Sequence, residues 1–187
     1  MGLPTTEFSC QQTPIPGLLV FNVTKVEDDR GYFQEKFQQA KLLAAGLPEN
    51  FSVVQNNISY NEHDGATRGL HAEPWEKYIS IVTGHAFCAW VDLRKGDSFG
   101  TVFYTELNPE TTAFVPRGVA NGYQALEAGV IYSYLVSDHW SPEGKYQSVN
   151  MFDLELNIPW PISQEQSVIS DKDLANPLLA DVTPMEF

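Results

Sequence analysis

The sequence is a succession of short runs rich in Val, Ile, Thr, Tyr and Phe, separated from one another by turn residues. Residues 86–93 and 130–136 are two such runs, and turn signals such as Asp64-Gly65 and Lys95-Gly96-Asp97 lie between runs. β-Branched and aromatic residues suit a half-buried pleated surface. Short strands at this spacing are typical of antiparallel sandwiches and barrels. The pattern therefore predicts an all-β fold, a jelly-roll (cupin-like) β-barrel with short peripheral helices.

The remaining elements complete this barrel. Further strands are predicted at residues 18–23, 31–37, 52–60, 69–73, 78–82, 102–107, 112–115, 122–126 and 147–152. A short helix is predicted at residues 38–45, because helix formers continue there until Gly46. The proline-punctuated segment 157–187 should wrap the barrel as loops, with one helical turn near 171–175. A length of 187 residues favours one domain spanning 1–187.

The formal charge of −13 limits the possible partners. Nucleic acid and anionic membrane surfaces would be repelled, so neither is expected as a partner. An anionic small ligand would need a local cationic pocket, and the chain has only four arginines with which to build one. Three of them precede a glycine, at Arg30, Arg68 and Arg117.

The same composition predicts a cytoplasmic protein. No apolar run approaches the roughly 20 residues that span a bilayer, and the first residues lack the basic start of a secretory signal. Cys10 and Cys88 are far apart in sequence, and Cys88 lies in an apolar run. A buried, reduced thiol is therefore favoured over a disulfide.

The four histidines do not form a metal-binding pattern. A metal-binding barrel of this kind usually presents two histidines two residues apart with a nearby carboxylate, but His71 is followed by Ala72 and Glu73. No transition-metal site is expected.

The densest polar cluster lies between Gln55 and Lys77. Alternation along a strand places Gln55 and Asn57 on one face. It also places Leu70 opposite to His71, with Arg68 on the side of Leu70. A bulge at Gly69 would aim Arg68 at the same side as His71.

These residue types suit an anionic ligand and proton transfer. His71 can act as a base near neutral pH, Lys77 can stabilise an oxyanion, and Arg30 and Arg68 can bind a diphosphate. Structural roles also remain open: His71 can be a packing residue, Lys77 a solvated edge residue, and Arg30 a partner of Asp28 or Glu35. The residues alone indicate an anionic-ligand pocket in a β-barrel.

The sequence resembles the dTDP-4-dehydrorhamnose 3,5-epimerases from about Pro16 to Pro177. The resemblance is carried by DDRGYFQEKF at 28–37, VQNNIS at 54–59, TRGLHAEPWEKY at 67–78, VDLRKGDSFG at 91–100, VPRGVANGY at 115–123, YSYLVSDHWSP at 132–142 and SDKD at 170–173. In this order and spacing the set is highly specific.

The resemblance implies a jelly-roll homodimer that uses neither metal nor cofactor. The implied substrate is dTDP-4-dehydro-6-deoxy-D-glucose and the implied product dTDP-4-dehydro-L-rhamnose, in dTDP-L-rhamnose biosynthesis. His71 matches the base of the family, Tyr134 the acid and Asp173 the carboxylate that pairs with the histidine. Lys77 matches a lysine near the ketone. Tyr132 has the same facing as Tyr134, so the identity of the acid stays open.

The resemblance also implies the ligand contacts. Residues matching the nucleotide and diphosphate contacts are Arg30, Glu35, Gln55, Asn57 and Arg68, some of them reaching the neighbouring subunit's site. Lys172 matches a further polar contact. Trp140 stands where many members have a tyrosine that stacks on thymine. Many members also have an interacting histidine and aspartate where this chain has Asn121 and Cys88. Asn121 can still bind a sugar or phosphate oxygen, but it carries no titrating proton.

Three other readings compete with the double epimerase. A relative could invert only carbon 3 or only carbon 5 of a related keto-sugar. A barrel that binds a sugar nucleotide without catalysis would be expected to lack the base or the acid, and both are present. An unrelated metal-dependent barrel is disfavoured by the histidine pattern.

Overall fold

The computed structural model describes residues 4–187, which form fourteen β-strands and two short α-helices. The strands are β1 (Pro4–Thr6), β2 (Ser9–Gln12), β3 (Leu19–Asn22), β4 (Lys25–Asp28), β5 (Gly31–Gln34), β6 (Gln55–Asn61), β7 (Thr67–Ala72), β8 (Lys77–Thr83), β9 (Ala86–Asp92), β10 (Val102–Leu107), β11 (Thr111–Val115), β12 (Val119–Ala125), β13 (Val130–Val136) and β14 (Gln147–Ser148). The helices are α1 (Gln39–Ala44) and α2 (Asp171–Leu174). Neither they nor any other helix in this part of the chain is long and apolar enough to cross a membrane.

Two antiparallel sheets form the body of the barrel. One has the strand order β10-β9-β12-β7-β14 and the other β2-β3-β11-β8-β13-β6, while β1, β4 and β5 form a small third sheet. Side chains from both large sheets meet in a buried cluster that includes Ile79 and Tyr132 from one sheet and Cys88 and Trp90 from the other. The all-β jelly-roll prediction is confirmed.

The register of β7 against β12 places a bulge at Gly69. His71 lies opposite Asn121, yet Arg68 lies opposite Tyr123, so two residues of β7 face the single Gly122. Gly69 has a φ of 118°, and a Cβ there would lie 2.5 Å from Cα of Gly122. Only glycine fits such a position. The bulge that Gly69 permits is therefore present, and Arg68 and His71 line one cavity.

The C-terminal segment covers the outer face of the five-stranded sheet. Leu179, Val182 and Met185 pack there against Leu70 and Val91. The predicted helical turn is α2, which Ser170 caps through its side chain. Leu70 is buried under this segment, on the side away from the cavity, as alternation predicts.

Several element boundaries differ from the predictions. The strand predicted at 31–37 ends at Gln34, because Lys36 turns inward and its Nζ donates to the carbonyl of Ile81 at 3.0 Å. The strand predicted at 147–152 ends at Ser148, since the Asn150 side chain accepts from the backbone of Phe152 at 2.9 Å and forms a local turn. Strands β1, β2 and β4 were not predicted; β4 carries only one large apolar residue, Val26.

Candidate active site

A cavity of about 220 Å³ opens between the two large sheets. Polar and aromatic side chains from both sheets and from α2 surround it. It is lined by Ser59, Arg68, Gly69, His71, Glu73, Lys77, Asn121, Tyr123, Tyr132, Tyr134 and Asp173. The structure thus brings together six of the predicted site residues and Tyr132.

His71 is oriented by a buried carboxylate. Its Nε2 lies 2.7 Å from Oδ1 of Asp173, while the other oxygen of Asp173 accepts from the backbone N–H of Gly69 at 3.3 Å. Asp173 is 6% exposed and stands in α2, where its own N–H bonds to Ser170. A carboxylate on Nε2 favours the tautomer with the proton on that nitrogen. Nδ1 is then the nitrogen that can accept a proton.

Arg68 reaches the cavity from the bulge in β7. Its Nε is 3.4 Å from Oδ1 of Asn61, which also accepts from the hydroxyl of Tyr123 at 3.1 Å. Asn61 is buried, so these contacts orient the start of the guanidinium group. Within residues 4–187, no carboxylate forms an ion pair with Arg68. Its charge is therefore available to an anionic ligand.

Lys77 is buried, at 5% exposure, and the solvated-edge alternative is wrong. Its ammonium forms an ion pair with Glu73 and donates to Oδ1 of Asn121. The amide nitrogen of Asn121 is 3.3 Å from the hydroxyl of Tyr132. Lys77 and Asn121 come from different sheets, so this line of polar contacts crosses the cavity.

Two tyrosines of β13 face the cavity in different environments. Tyr132 is buried and stacks on Tyr123 with ring centroids 4.1 Å apart. Burial raises the pKa of Tyr132 well above its ordinary value. Tyr134 is half-buried; burial, and then the charge of Glu73, raise the pKa of its phenol. Both phenols are therefore held in the protonated form near neutral pH.

A second cavity, of about 350 Å³, adjoins the first, because His71 and Glu73 line both. Three aromatic rings line this outer cavity. Trp75 meets Tyr146 edge-on at 5.5 Å, and the exposed Trp140 is nearly parallel to Tyr146 at 6.5 Å. Lys172 of α2 lines the same cavity. Rings beside a cation suit a ligand with a planar base and an anionic group.

Four of the predicted ligand residues lie outside both cavities. Arg30 and Glu35 belong to the β4–β5 region. Arg30 pairs with Asp28 at 2.5 Å, which is one of the structural roles that the sequence left open for this arginine. Gln55 and Asn57 share an edge strand and hydrogen-bond to each other at 2.6 Å. Gln55 also contacts His139 at 2.9 Å.

Sequence reasoning missed several residues that line the cavities. Ser59 continues the alternation of Gln55 and Asn57, so extending that face by two residues would have found it. Glu73 entered the sequence argument only because it stands where a metal-binding barrel would have a second histidine. Tyr123, Trp75 and Tyr146 gave no signal, because aromatic residues in a barrel usually belong to the core.

No three His, Cys, Asp or Glu side chains converge as a metal site would require, in the part of the chain that the structure describes. What the cavity offers is a histidine held by a carboxylate on one sheet and a phenol on the other. A buried ammonium and a guanidinium lie beside them. Such an arrangement can remove a proton from one side of a carbon, stabilise an oxyanion and supply a proton from the other side.

Comparison with known proteins places this geometry among proteins of one kind. The family model described as dTDP-4-dehydrorhamnose 3,5-epimerase matches residues 12–181. A protein described as an RmlC homolog, from Streptococcus pyogenes serotype M6, is 46% identical over 178 residues, covering 92% of this chain and 89% of its own.

Solved structures of related proteins have the same fold as this chain. RmlC from Streptococcus suis in complex with dTDP-D-xylose has a TM-score of 0.91 at 42% identity, with 99% of this chain and 96% of that chain covered. ChmJ, a 3'-monoepimerase from Streptomyces bikiniensis in complex with dTDP-quinovose, has a TM-score of 0.82 at 27% identity, with 91% and 87% covered.

Proposed function

Because this chain belongs to the dTDP-4-dehydrorhamnose 3,5-epimerase family, we propose that it converts dTDP-4-dehydro-6-deoxy-D-glucose to dTDP-4-dehydro-L-rhamnose. The chain is an epimerase of dTDP-linked keto-sugars in rhamnose biosynthesis. The observation that carries the proposed mechanism is the placement of His71, held by Asp173 of α2, and Tyr134 on opposite sheets around one cavity. The sequence favours a cytoplasmic location and a single domain.

His71 acts as the base. A carbon–hydrogen bond beside a ketone is weakly acidic, so Nδ1 of His71 takes this proton while the electron pair moves to the ketone oxygen and forms an enolate. The Lys77 ammonium stabilises that oxygen with a charge-assisted hydrogen bond. Asp173 stabilises the imidazolium that forms.

Tyr134 acts as the acid. Its phenol returns a proton to the carbon from the face opposite His71, which inverts the centre. Tyr134 suits this role better than Tyr132, because Tyr134 is half-buried and has no hydrogen-bond partner among the described residues. Tyr132 is fully buried and contacts Asn121. Solvent then takes the proton from His71 and returns one to Tyr134, so the same two groups serve carbons 3 and 5 in turn, on either side of the ketone.

The nucleotide occupies the outer cavity. The base stacks on Trp140, near Tyr146, and Lys172 contacts the ligand from α2. Arg68 binds the diphosphate between this cavity and the inner one. No step requires a cofactor or a metal ion.

The protein acts as a homodimer in this proposal. Tyr32 and Phe33 of β5 and Ile58 and Tyr60 of β6 are large apolar side chains that are more than half exposed. Groups of large exposed apolar side chains mark interaction surfaces. In this proposal a second copy binds here, so that Arg30 and Glu35 near Phe33 reach the site of that copy, and Gln55 and Asn57 lie on the same strand as Ile58 and Tyr60.

Proton NMR with purified protein and dTDP-4-dehydro-6-deoxy-D-glucose in heavy water tests the reaction. Deuterium should enter at carbons 3 and 5, and a coupled reductase should then yield dTDP-L-rhamnose. Binding without any exchange would contradict the proposal and leave a sugar-nucleotide-binding barrel.

A single-centre epimerase is the second candidate, because the fold is shared with a 3'-monoepimerase at a TM-score of 0.82. Both activities need the same base and the same acid. Exchange at only one of the two carbons would establish this alternative.

A further inference from the structure

The ammonium of Lys77 is held from two sides. Glu73 forms an ion pair with Nζ, and Asn121 accepts a hydrogen bond from the same atom. Between residues 4 and 187 this ammonium has no other hydrogen-bond or ion-pair partner. An ammonium carries three N–H donors. One is directed at Oδ1 of Asn121, whereas the contact with Glu73 is an ion pair without hydrogen-bond geometry, so N–H donors are left to face the cavity.

Lys77 also fixes the orientation of the Asn121 amide. A lysine can only donate, so the oxygen of the amide must face Nζ and the nitrogen must face away from it. The nitrogen accordingly points to the hydroxyl of Tyr132, at 3.3 Å. Each polar end of Asn121 thus has a partner in the protein, whereas the sequence predicts that Asn121 binds a sugar or phosphate oxygen.

Three separate elements set the position of the ammonium. Glu73 directly follows β7, Lys77 is the first residue of β8, and Asn121 lies within β12. The connection between Glu73 and Lys77 crosses from one sheet to the other and is anchored by the buried Trp75. Displacement of Nζ therefore requires a change at both walls of the cavity.

A carboxylate at this place has a cost for the proposed ligand. The cavity must accept a ligand with a charged diphosphate, and Glu73 adds a negative charge beside that of Asp173. The negative charge of Glu73 opposes such a ligand by Coulomb repulsion. A benefit offsets this cost, because a buried ammonium is held stably only when its charge is paired and hydrogen-bonded.

We propose that Glu73 and Asn121 are positioning residues, which together direct a free N–H of Lys77 at the ketone oxygen of the substrate. The inference rests on the epimerase function proposed above. It assigns to Glu73 a role that the resemblance did not supply, and it moves Asn121 from ligand binding to the support of Lys77.

Variants of Asn121 test the first half. Asn121→Leu keeps the approximate size and removes the acceptor, so kcat should fall about 10- to 100-fold with KM nearly unchanged. Asn121→Asp keeps an acceptor for Lys77 but adds a negative charge. It should retain kcat within about tenfold while KM rises about tenfold. An Asn121→Leu variant that raises KM alone would show a substrate contact and overturn the proposal.

Variants of Glu73 test the second half with a matched pair. Glu73→Gln keeps an oxygen that can accept from Lys77 and removes the charge; kcat should stay within about tenfold, and KM should fall. Glu73→Met removes the acceptor at similar length, and kcat should fall about 10- to 100-fold. Equal loss of kcat in both variants would instead show that the carboxylate itself transfers a proton, and the inference would be wrong.

Two controls separate this inference from the proposed function. Deuterium exchange by the wild-type protein tests the proposed function alone. Absence of exchange in the wild type would contradict the proposed function, whatever the variants do. With an active wild type, only the pattern of kcat and KM among the four variants decides. Binding of dTDP, which lacks the sugar, should be retained in the three variants with a neutral side chain, Asn121→Leu, Glu73→Gln and Glu73→Met, if they fold.

Discussion

The inner cavity and the β4–β5 region both carry residues that the sequence assigns to the site, yet the two regions hold them differently. In the cavity, Lys77 and Asp173 are 5% and 6% exposed, and each contacts a group from another element. In the β4–β5 region, the side chain of Arg30 is 89% exposed and, among the described residues, pairs only with Asp28 of the same hairpin. Charges enclosed by two sheets have one available geometry, whereas a charge on an exposed hairpin has many.

This difference indicates what each region can do alone. A buried, paired charge costs several kcal/mol to leave unpaired, so its partner is fixed. An exposed ion pair contributes about 0–1 kcal/mol and breaks readily for a new partner. The cavity should therefore carry the chemistry within one chain, while Arg30 needs a second surface before it can bind ligand. The following changes test this division.

Loss of the base should have the largest effect. His71→Ala removes the group that takes the proton, so deuterium exchange and epimerisation should fall by about 10²–10⁴-fold. The same change leaves the buried Asp173 without its side-chain partner, so the thermal unfolding temperature should also fall. NMR exchange in heavy water measures the rate, and appreciable residual epimerisation would show that another group is the base.

Loss of the acid should be the next largest effect and separates the two tyrosines. Tyr134→Phe should lower kcat by about 10²-fold, because no phenol then returns the proton. Tyr132→Phe keeps the stacking on Tyr123 and loses only the contact with Asn121, so its loss should be tenfold or less, on the order of one hydrogen bond.

The pH dependence provides a separate check on Tyr134. Burial and then Glu73 raise the pKa of Tyr134, so its protonated form persists beyond the ordinary value of about 10. The loss of kcat that comes from ionisation of this phenol should begin above that pH and be missing in Tyr134→Phe. A larger loss of kcat in Tyr132→Phe than in Tyr134→Phe would reverse the assignment.

The cavity was predictable where strand alternation alone decides. Alternation correctly placed Leu70 on the face away from His71. The glycine after Arg68 indicated where a bulge could turn this arginine inward, and the bulge is there. The sequence could not show that the Lys77 ammonium is buried. That burial depends on Glu73 and Asn121, which come together only through the pairing of two sheets.

The β4–β5 region was less predictable, because its strands also depend on pairing between distant parts of the chain. Strand β4 reads KVED, in which neither hydrophobic alternation nor a run of apolar residues signals a strand. It exists because it pairs with β1 and β5, and such pairing partners are not visible in a single sequence. The resemblance named Arg30 and Glu35 as ligand contacts and implied that some contacts reach a neighbouring subunit, but it did not say which of them do.

The smallest expected effect, and the sharpest test of the division, concerns Arg30. If Arg30 acts in the site of a second copy, Arg30→Ala should raise KM about tenfold, the loss of about one charge-assisted contact, with kcat nearly unchanged. Mixing Arg30→Ala protein with inactive His71→Ala protein should then restore a normal KM at one active site of each mixed dimer. In a mixed dimer, an intact His71 in one subunit meets an intact Arg30 from the other. Glu49→Ala, a change at an exposed position outside both cavities, provides the control for mixing. A raised KM that mixing does not rescue would place Arg30 at the site of its own chain, and an unchanged KM would show that its pairing with Asp28 is its whole role.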